Sequence, residues 1–223
     1  MEMIKSISYD QQEIIKNIIS LYIPSGQIDL DPCYSKGVFY KDSDILGPII
    51  KLDINPQVDG VEYGDCRQLP LQDDSINSII FDPPFLATTG PSLSKNDDNN
   101  KINKRFGVYD SEKSLHQMYY DSLKEFYRVL KNDGILIVKC QDKISSGKQY
   151  LSHIYITNMG EDIGFYAEDL FILLAKNRIV ADWQVKNQKH ARKFHSYFIV
   201  FRKKGDKGSV KMSYNKIQQM IED

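Results

Sequence analysis

A chain of 223 residues, 41% hydrophobic and 26% charged, has the length and composition of one soluble domain with a full core. Its formal net charge of −1 excludes nucleic-acid binding by bulk charge, so any such contact needs a local basic patch. No apolar run approaches the roughly 18 residues that span a bilayer, the start MEMIKSISYDQQ lacks a secretory core, and Cys33, Cys66 and Cys140 form no CxxC pair; these features predict a cytoplasmic protein with reduced thiols, no membrane and no zinc site.

In chain order, residues 9 to 22 place Ile14, Ile15, Ile18, Ile19 and Tyr22 on one helical face, ending before Pro24 and Gly26. Short apolar runs follow at Ile28 to Leu30, Pro48 to Ile54 and Ile76 to Phe81. Each has the length of a buried strand and several are bounded by Asp, Gly or Pro. Residues 87 to 110 break the rhythm: they are polar, contain Gly90 and Pro91, and include a biased run ending at Lys104-Arg105. So long a connection in a compact domain reads as a substrate loop. A helix at about 111 to 131 comes next, with Leu115, Tyr119, Leu123, Phe126 and Leu130 on one face and Asn132-Asp133-Gly134 at its end. Further strands are expected at Ile135 to Val138, Leu170 to Leu174 and Tyr197 to Phe201. Helices alternating with buried strands predict an α/β domain built on a mostly parallel sheet.

The run Ser78-Ile79-Ile80-Phe81 delivers Asp82-Pro83-Pro84-Phe85 at a strand's carboxyl end, where open α/β sheets bind ligands. Those residue types suit methylation of an exocyclic base amine, whose lone pair is delocalised into the ring. Two acceptors placed on its hydrogens, the Asp82 carboxylate and a carbonyl of the proline pair, draw the nitrogen toward tetrahedral geometry. The prolines hold φ and remove competing N–H donors, and Phe85 offers a face for a flipped base. A strand capped by an Asp turn, with Phe85 in the core, has the same local sequence. The decision comes from upstream. Three successive strands each deposit an acid at the same sheet edge, Asp31 after Ile28 to Leu30, Asp53 in Lys51-Leu52-Asp53-Ile54 and Asp65 in Val61-Glu62-Tyr63-Gly64-Asp65. Asp53 stands 22 residues after Asp31, as in nucleotide-binding sheets where an acid holds ribose hydroxyls. A nicotinamide-dependent dehydrogenase needs Gly-x-Gly-x-x-Gly, which is absent.

This succession resembles the class I S-adenosylmethionine-dependent methyltransferases, specifically the amino-directed (N6-adenine and N4-cytosine) DNA methylases, and its tail resembles small enzymes of phages and mobile elements. The resemblance covers about residues 20 to 204. It implies a Rossmann-like, seven-stranded, mostly parallel sheet with helices on both faces and an antiparallel last strand near Tyr197 to Phe201, in one domain over 1–223. It implies S-adenosylmethionine as cofactor, with Asp31, Pro32, Tyr34, Ser35 and Gly37 standing for the first motif, Asp53 for the ribose acid, and Asp65 with Cys66 for the adenine contact. Asp82, Pro83, Pro84 and Phe85 stand for the catalytic tetrapeptide, and no metal is implied. Ser35 and Lys36 depart from the expected glycine spacing. The family's separate cofactor-clamping segment has no clear counterpart, although the helix at 9 to 22 is placed to supply one.

From Lys176 to Lys204 nine Lys or Arg face one acid, Asp182. Lys189, Arg192 and Lys193 in this basic hairpin (about 170–204), with Lys104 and Arg105 in the loop, are the expected phosphate contacts. Lys139 and Asp142, just past the fourth strand, line the pocket or pair with each other. The target expected is adenine N6 in DNA, because cytosine-N4 enzymes more often begin the tetrapeptide with Ser. N4-cytosine, an RNA base, a protein side-chain nitrogen and a non-catalytic methyltransferase-like subunit are the alternatives. Little chain is left for sequence recognition beyond residues 87–110 and 143–168. That shortage points to relaxed specificity, a separate specificity subunit or homodimer, or an RNA substrate.

Overall fold

A computed structural model of the chain describes residues 3–85, 87, 109–145, 147–176 and 188–204. Its strands are β1 (Ile7–Ser8), β2 (Leu30–Asp31), β3 (Ile50–Asp53), β4 (Glu62–Tyr63), β5 (Ile76–Phe81), β6 (Leu130–Cys140), β7 (Lys143–Ser145), β8 (Lys148–Tyr150), β9 (Phe165–Leu174) and β10 (His195–Lys203). The helices are α1 (Gln11–Tyr22), α2 (Glu112–Val129) and α3 (Ser152–Ile163). Eight strands form one sheet in the order β1-β9-β10-β6-β5-β2-β3-β4, and β7 and β8 form a separate hairpin. Within the sheet only β10 runs antiparallel, to β6 on one side and β9 on the other. The expected seven strands and the antiparallel strand over Tyr197 to Phe201 are therefore present. The eighth, β1, pairs with β9 at the edge and is too short to show a period.

Strand alternation sends successive side chains to opposite faces, and two core clusters result. Ile79, Phe81, Leu136, Val138, Ile199 and Phe201 pack with α2 and α3. Ile80, Ile135, Ile137, Phe198 and Val200 pack with α1 through Ile14, Ile15, Ile18 and Ile19. Helices thus cover both faces, as the buried parallel strands require. Asp10 starts α1 by accepting a hydrogen bond from the Gln12 N–H at 2.8 Å.

The end of α2 differs from expectation. The helix stops at Val129 and Leu130 already belongs to β6. Asn132-Asp133-Gly134 lies inside that strand, at an irregularity where Ile76 pairs with Leu130 and Ser78 with Ile135. Asp133 takes φ +63°, and a Cβ on Gly134 would lie 2.8 Å from the Lys131 carbonyl oxygen. The turn residues are real, but they punctuate a strand. The segment 143–168 holds the β7–β8 hairpin and α3, whose weak periodicity leaves them without a separate expectation. Of the expected substrate loop, Ala87 bridges Tyr109 in parallel fashion; residues 88–108, with Lys104 and Arg105, lie outside the described residues. Among the described residues no helix is long and apolar enough to cross a membrane.

Opposite the strand ends that carry the acids, Lys203 is 7% exposed. Its Nζ donates to the Leu130 carbonyl (2.7 Å), the Tyr127 carbonyl (2.6 Å) and Asp74 Oδ1 (2.8 Å). One ammonium therefore satisfies the carbonyl end of α2 and ties the last described strand to it. Lys203→Met is expected to leave both carbonyls unpaired and to lower stability by about 3 kcal/mol, measured by urea denaturation.

Candidate active site

The parallel strands β4, β3, β2, β5 and β6 all end on one edge of the sheet, and β10 begins there. The four predicted acids are brought to that edge. Asp31 closes β2, Asp53 closes β3, Asp65 follows β4 and Asp82 follows β5.

Asp31 is buried, at 3% exposure. Its carboxylate accepts from the Cys33 N–H and the Tyr40 hydroxyl, each at 3.0 Å. Burial pushes its pKa up from 3.8 to about 7; the two hydrogen bonds oppose that rise and the charges of Asp82 and Asp53 add to it. Pro32 is buried beside it. Asp53 accepts from the Ser35 and Asn55 N–H groups, both at 2.8 Å. Ser35, which stands in place of an expected glycine, takes φ +50°. A non-glycine residue in that region costs roughly 1 kcal/mol, and the bond to Asp53 offsets it. Gly37 (φ +64°) is required where it stands, because a Cβ there would come within 2.5 Å of the Tyr34 hydroxyl. Tyr34 stacks on Tyr40 at 5.6 Å. Lys36 is exposed.

Asp65 is held by a residue that sequence reading passes over. Arg67 grips both its oxygens, at 2.6 Å through Nη2 and 2.9 Å through Nε, and holds its carboxyl below the usual carboxylate range. The neighbouring Cys66 sulfur lies 3.3 Å from Ser122 Oγ. A hydrogen bond with Cys66, together with burial, pushes the Cys33 thiol well above its ordinary value. Tyr109 packs against the same core cluster as these cysteines, and burial pushes its hydroxyl up to about 12.

Beyond β5, Pro83 is buried, and Asp82, Pro84 and Phe85 are half-buried. Asp82 Oδ2 accepts from Lys139 Nζ at 3.0 Å, and the same ammonium donates to Gln11 Oε1 at 2.8 Å. The Phe85 carbonyl accepts from Lys143 Nζ at 2.7 Å. Lys143 also pairs with Glu112 at 2.9 Å, and burial pushes the lysine's pKa down. The peptide after the prolines is thus tied to α2 and β7. Lys139 and Asp142 do not pair with each other: Lys139 holds Asp82, and Asp142 lies 2.8 Å from His153 Nδ1. Lys139 still belongs to β6 and follows its alternation, whereas Asp142 lies beyond the strand's end, so closeness along the chain does not make them partners.

Lys189, Arg192 and Lys193 precede β10, which enters the sheet at this same edge; Lys189 and Arg192 are exposed and Lys193 partly so. A cavity of about 330 Å³ opens nearby, between Gln11, Gln141, Lys176 and His195.

No protein-family model and no curated protein matches the chain. Among solved structures it is similar to a candidate DNA modification methylase from Thermus thermophilus complexed with S-adenosyl-L-methionine, at 16% identity, 70% coverage of this chain and a TM-score of 0.42. It spans 59% of that protein's length. It is also similar to the cytosine-N4-specific PvuII DNA methyltransferase (17% identity, 64% of this chain, 48% of that one, TM-score 0.45). A third likeness is to a SAM-dependent methyltransferase from Thermotoga maritima (15%, 84% and 86%, TM-score 0.46). None of these scores reaches 0.5; the fold of this chain rests on its own strand order and its chemistry on its own side chains.

Because the folded state binds the Asp31 proton more tightly than an ordinary carboxyl does, the Asp31 contribution to stability falls as pH rises from about 4 to about 7. Tyr40→Phe removes a bond that favours the charged form. The fall is then expected to continue above pH 7, seen as urea midpoints that still decline between roughly pH 7 and 8.5, where the unaltered protein has levelled.

Proposed function

We propose that this chain is an S-adenosylmethionine-dependent methyltransferase acting on the exocyclic amino group of a nucleobase, adenine N6 in DNA being the preferred target. The observation that carries the reading is the Asp82-Pro83-Pro84-Phe85 turn on the central strand β5, one strand from the buried carboxyl of Asp31. The donor and acceptor set at the edge fits the cofactor. Asp31 suits the methionine ammonium, Asp53 the ribose hydroxyls and Asp65 the adenine amine. Asp53 uses one lone pair of each oxygen on its own loop, so acceptor capacity is left. At Asp65 an incoming amine shares the carboxylate with Arg67. The loop Pro32, Tyr34, Ser35 and Gly37, with Cys66 across from it, supplies the close backbone approach.

S-adenosylmethionine, when bound, supplies the methyl group as a sulfonium electrophile. The chain's own residues prepare the nucleophile. Asp82 accepts one amine hydrogen and the Pro83 carbonyl the other, which frees the nitrogen lone pair for attack. Phe85 stacks on the base, and its peptide is held by Lys143. Such acceptors act because they are in place before the reaction begins. Lys189, Arg192 and Lys193 hold phosphates beside the edge.

Incubation with labelled cofactor and unmethylated DNA, followed by nucleoside mass spectrometry, is expected to show N6-methyladenine. Asp82→Ala is expected to lower the rate at least a hundredfold, roughly the loss seen for one preorganised group, with cofactor affinity little changed. Methyl transfer that survives Asp82→Ala defeats the mechanism. Charge reversal at Arg192 and Lys193 is expected to weaken DNA binding and reduce the slope of log affinity against log salt by about 2, measured by fluorescence anisotropy.

A further inference from the structure

The geometry points to Lys139 as the positioning residue that sets the Asp82 carboxylate for the acceptor amine, an inference that rests on the methyltransferase reading above. Phe81 lies opposite Val138 across the β5–β6 pair, so the residues that follow, Asp82 and Lys139, are neighbours at the strand ends. By alternation Lys139 shares the α1 face with Ile135 and Ile137. Its side chain is 16% exposed and its Nζ lies 5.0 Å from the Phe39 ring centre and 5.8 Å from that of Phe198. An ammonium on such an apolar floor is costly unless paired. Two groups pair it, Gln11 Oε1 at 2.8 Å and Asp82 Oδ2 at 3.0 Å, and the ring faces add cation–π attraction.

The consequence for Asp82 is asymmetric. Oδ2 is taken, while among the described residues Oδ1 accepts no hydrogen bond. The carboxylate is therefore presented in one orientation with one oxygen reserved for an amine hydrogen. Without Lys139 the carboxylate is free to rotate about Cβ–Cγ, and a displacement of about 1 Å costs on the order of a hundredfold in rate. Gln11, the first residue of α1, acts one step further out by orienting the ammonium. The N-terminal helix thereby reaches the reacting centre through a single side chain.

The test compares the full chain with Lys139→Met, Lys139→Arg, Gln11→Leu and the Gln11→Leu/Lys139→Met double variant. Each is given tritium-labelled S-adenosylmethionine and unmethylated genomic DNA. Lys139→Met is expected to lower kcat on the order of a hundredfold, with KM for both substrates within about threefold. Lys139→Arg restores part of the rate, and Gln11→Leu loses less than Lys139→Met. The double variant is no slower than Lys139→Met alone, because Gln11 acts through the lysine. Undiminished kcat in Lys139→Met overturns the inference, as does a rate loss matched by an equal loss of cofactor-binding stoichiometry. If Lys139→Met does not fold, Gln11→Leu decides: lowered kcat at unchanged KM supports the role, and unchanged kcat overturns it. A wild-type chain that transfers no methyl group overturns the functional reading and this inference together. An active wild type beside an equally active Lys139→Met overturns this inference alone.

Discussion

The organisation of this molecule follows from the burial of its central strands on both faces. Ile79, Ile80 and Phe81 are fully buried, as are Leu136, Ile137 and Val138 beside them. With helices on either side, such strands have almost no position where a charge is tolerated. Polar chemistry is pushed to the ends of the strands, and because the strands are parallel it collects along one edge. The cost is crowding of like charge: Asp31 feels both Asp82 and Asp53. Each acid is given a local answer, the Ser35 amide for Asp53, Arg67 for Asp65, the Tyr40 hydroxyl for Asp31 and Lys139 for Asp82. The row of ordered carboxylates is therefore a by-product of the same burial that makes the sheet.

Of the four acids, Asp65 follows an exposed two-residue strand and is legible only as the next acid in the succession. Asp31, Asp53 and Asp82 are legible in the sequence because each stands at the end of a short apolar run, and run length alone marks a buried strand. The long, strongly periodic helices α1 and α2 are legible for the same reason. Their partners are not. Lys139 sits at the end of the run Ile135 to Val138, where the sequence marks it as an edge residue that lines the pocket or pairs with Asp142; only the register Phe81 to Val138 puts it beside Asp82. Arg67 follows Asp65 by two residues, a spacing that a surface turn shares. The Gly-Asp-Cys-Arg succession after a strand does carry a signal there, since an acid at a crowded edge needs a cation close by.

Other differences have similar causes. The two residues of β1 carry no period, and α3 has only Ile156 as a buried large apolar residue, so neither announces an amphipathic stripe. Asn132-Asp133-Gly134 announces a chain irregularity truthfully, and a disturbance within a strand satisfies the same backbone need that a helix end would have. Turn chemistry identifies a conformation, and tertiary pairing decides which element contains it.

The place of β10 between β6 and β9 has a kinetic meaning. The strand that completes the sheet is the last described in the chain; β9 ends 21 residues and β6 55 residues before it begins. Until it docks, β6 and β9 each present an open ladder of N–H and C=O groups, and α2 lacks the lysine that covers its carbonyl end. Closure of this sheet therefore depends on long-range pairing, which is intrinsically slow. A chain caught before that step offers two apolar edges to other chains, so the hazard in making this protein is self-association of a nearly finished sheet.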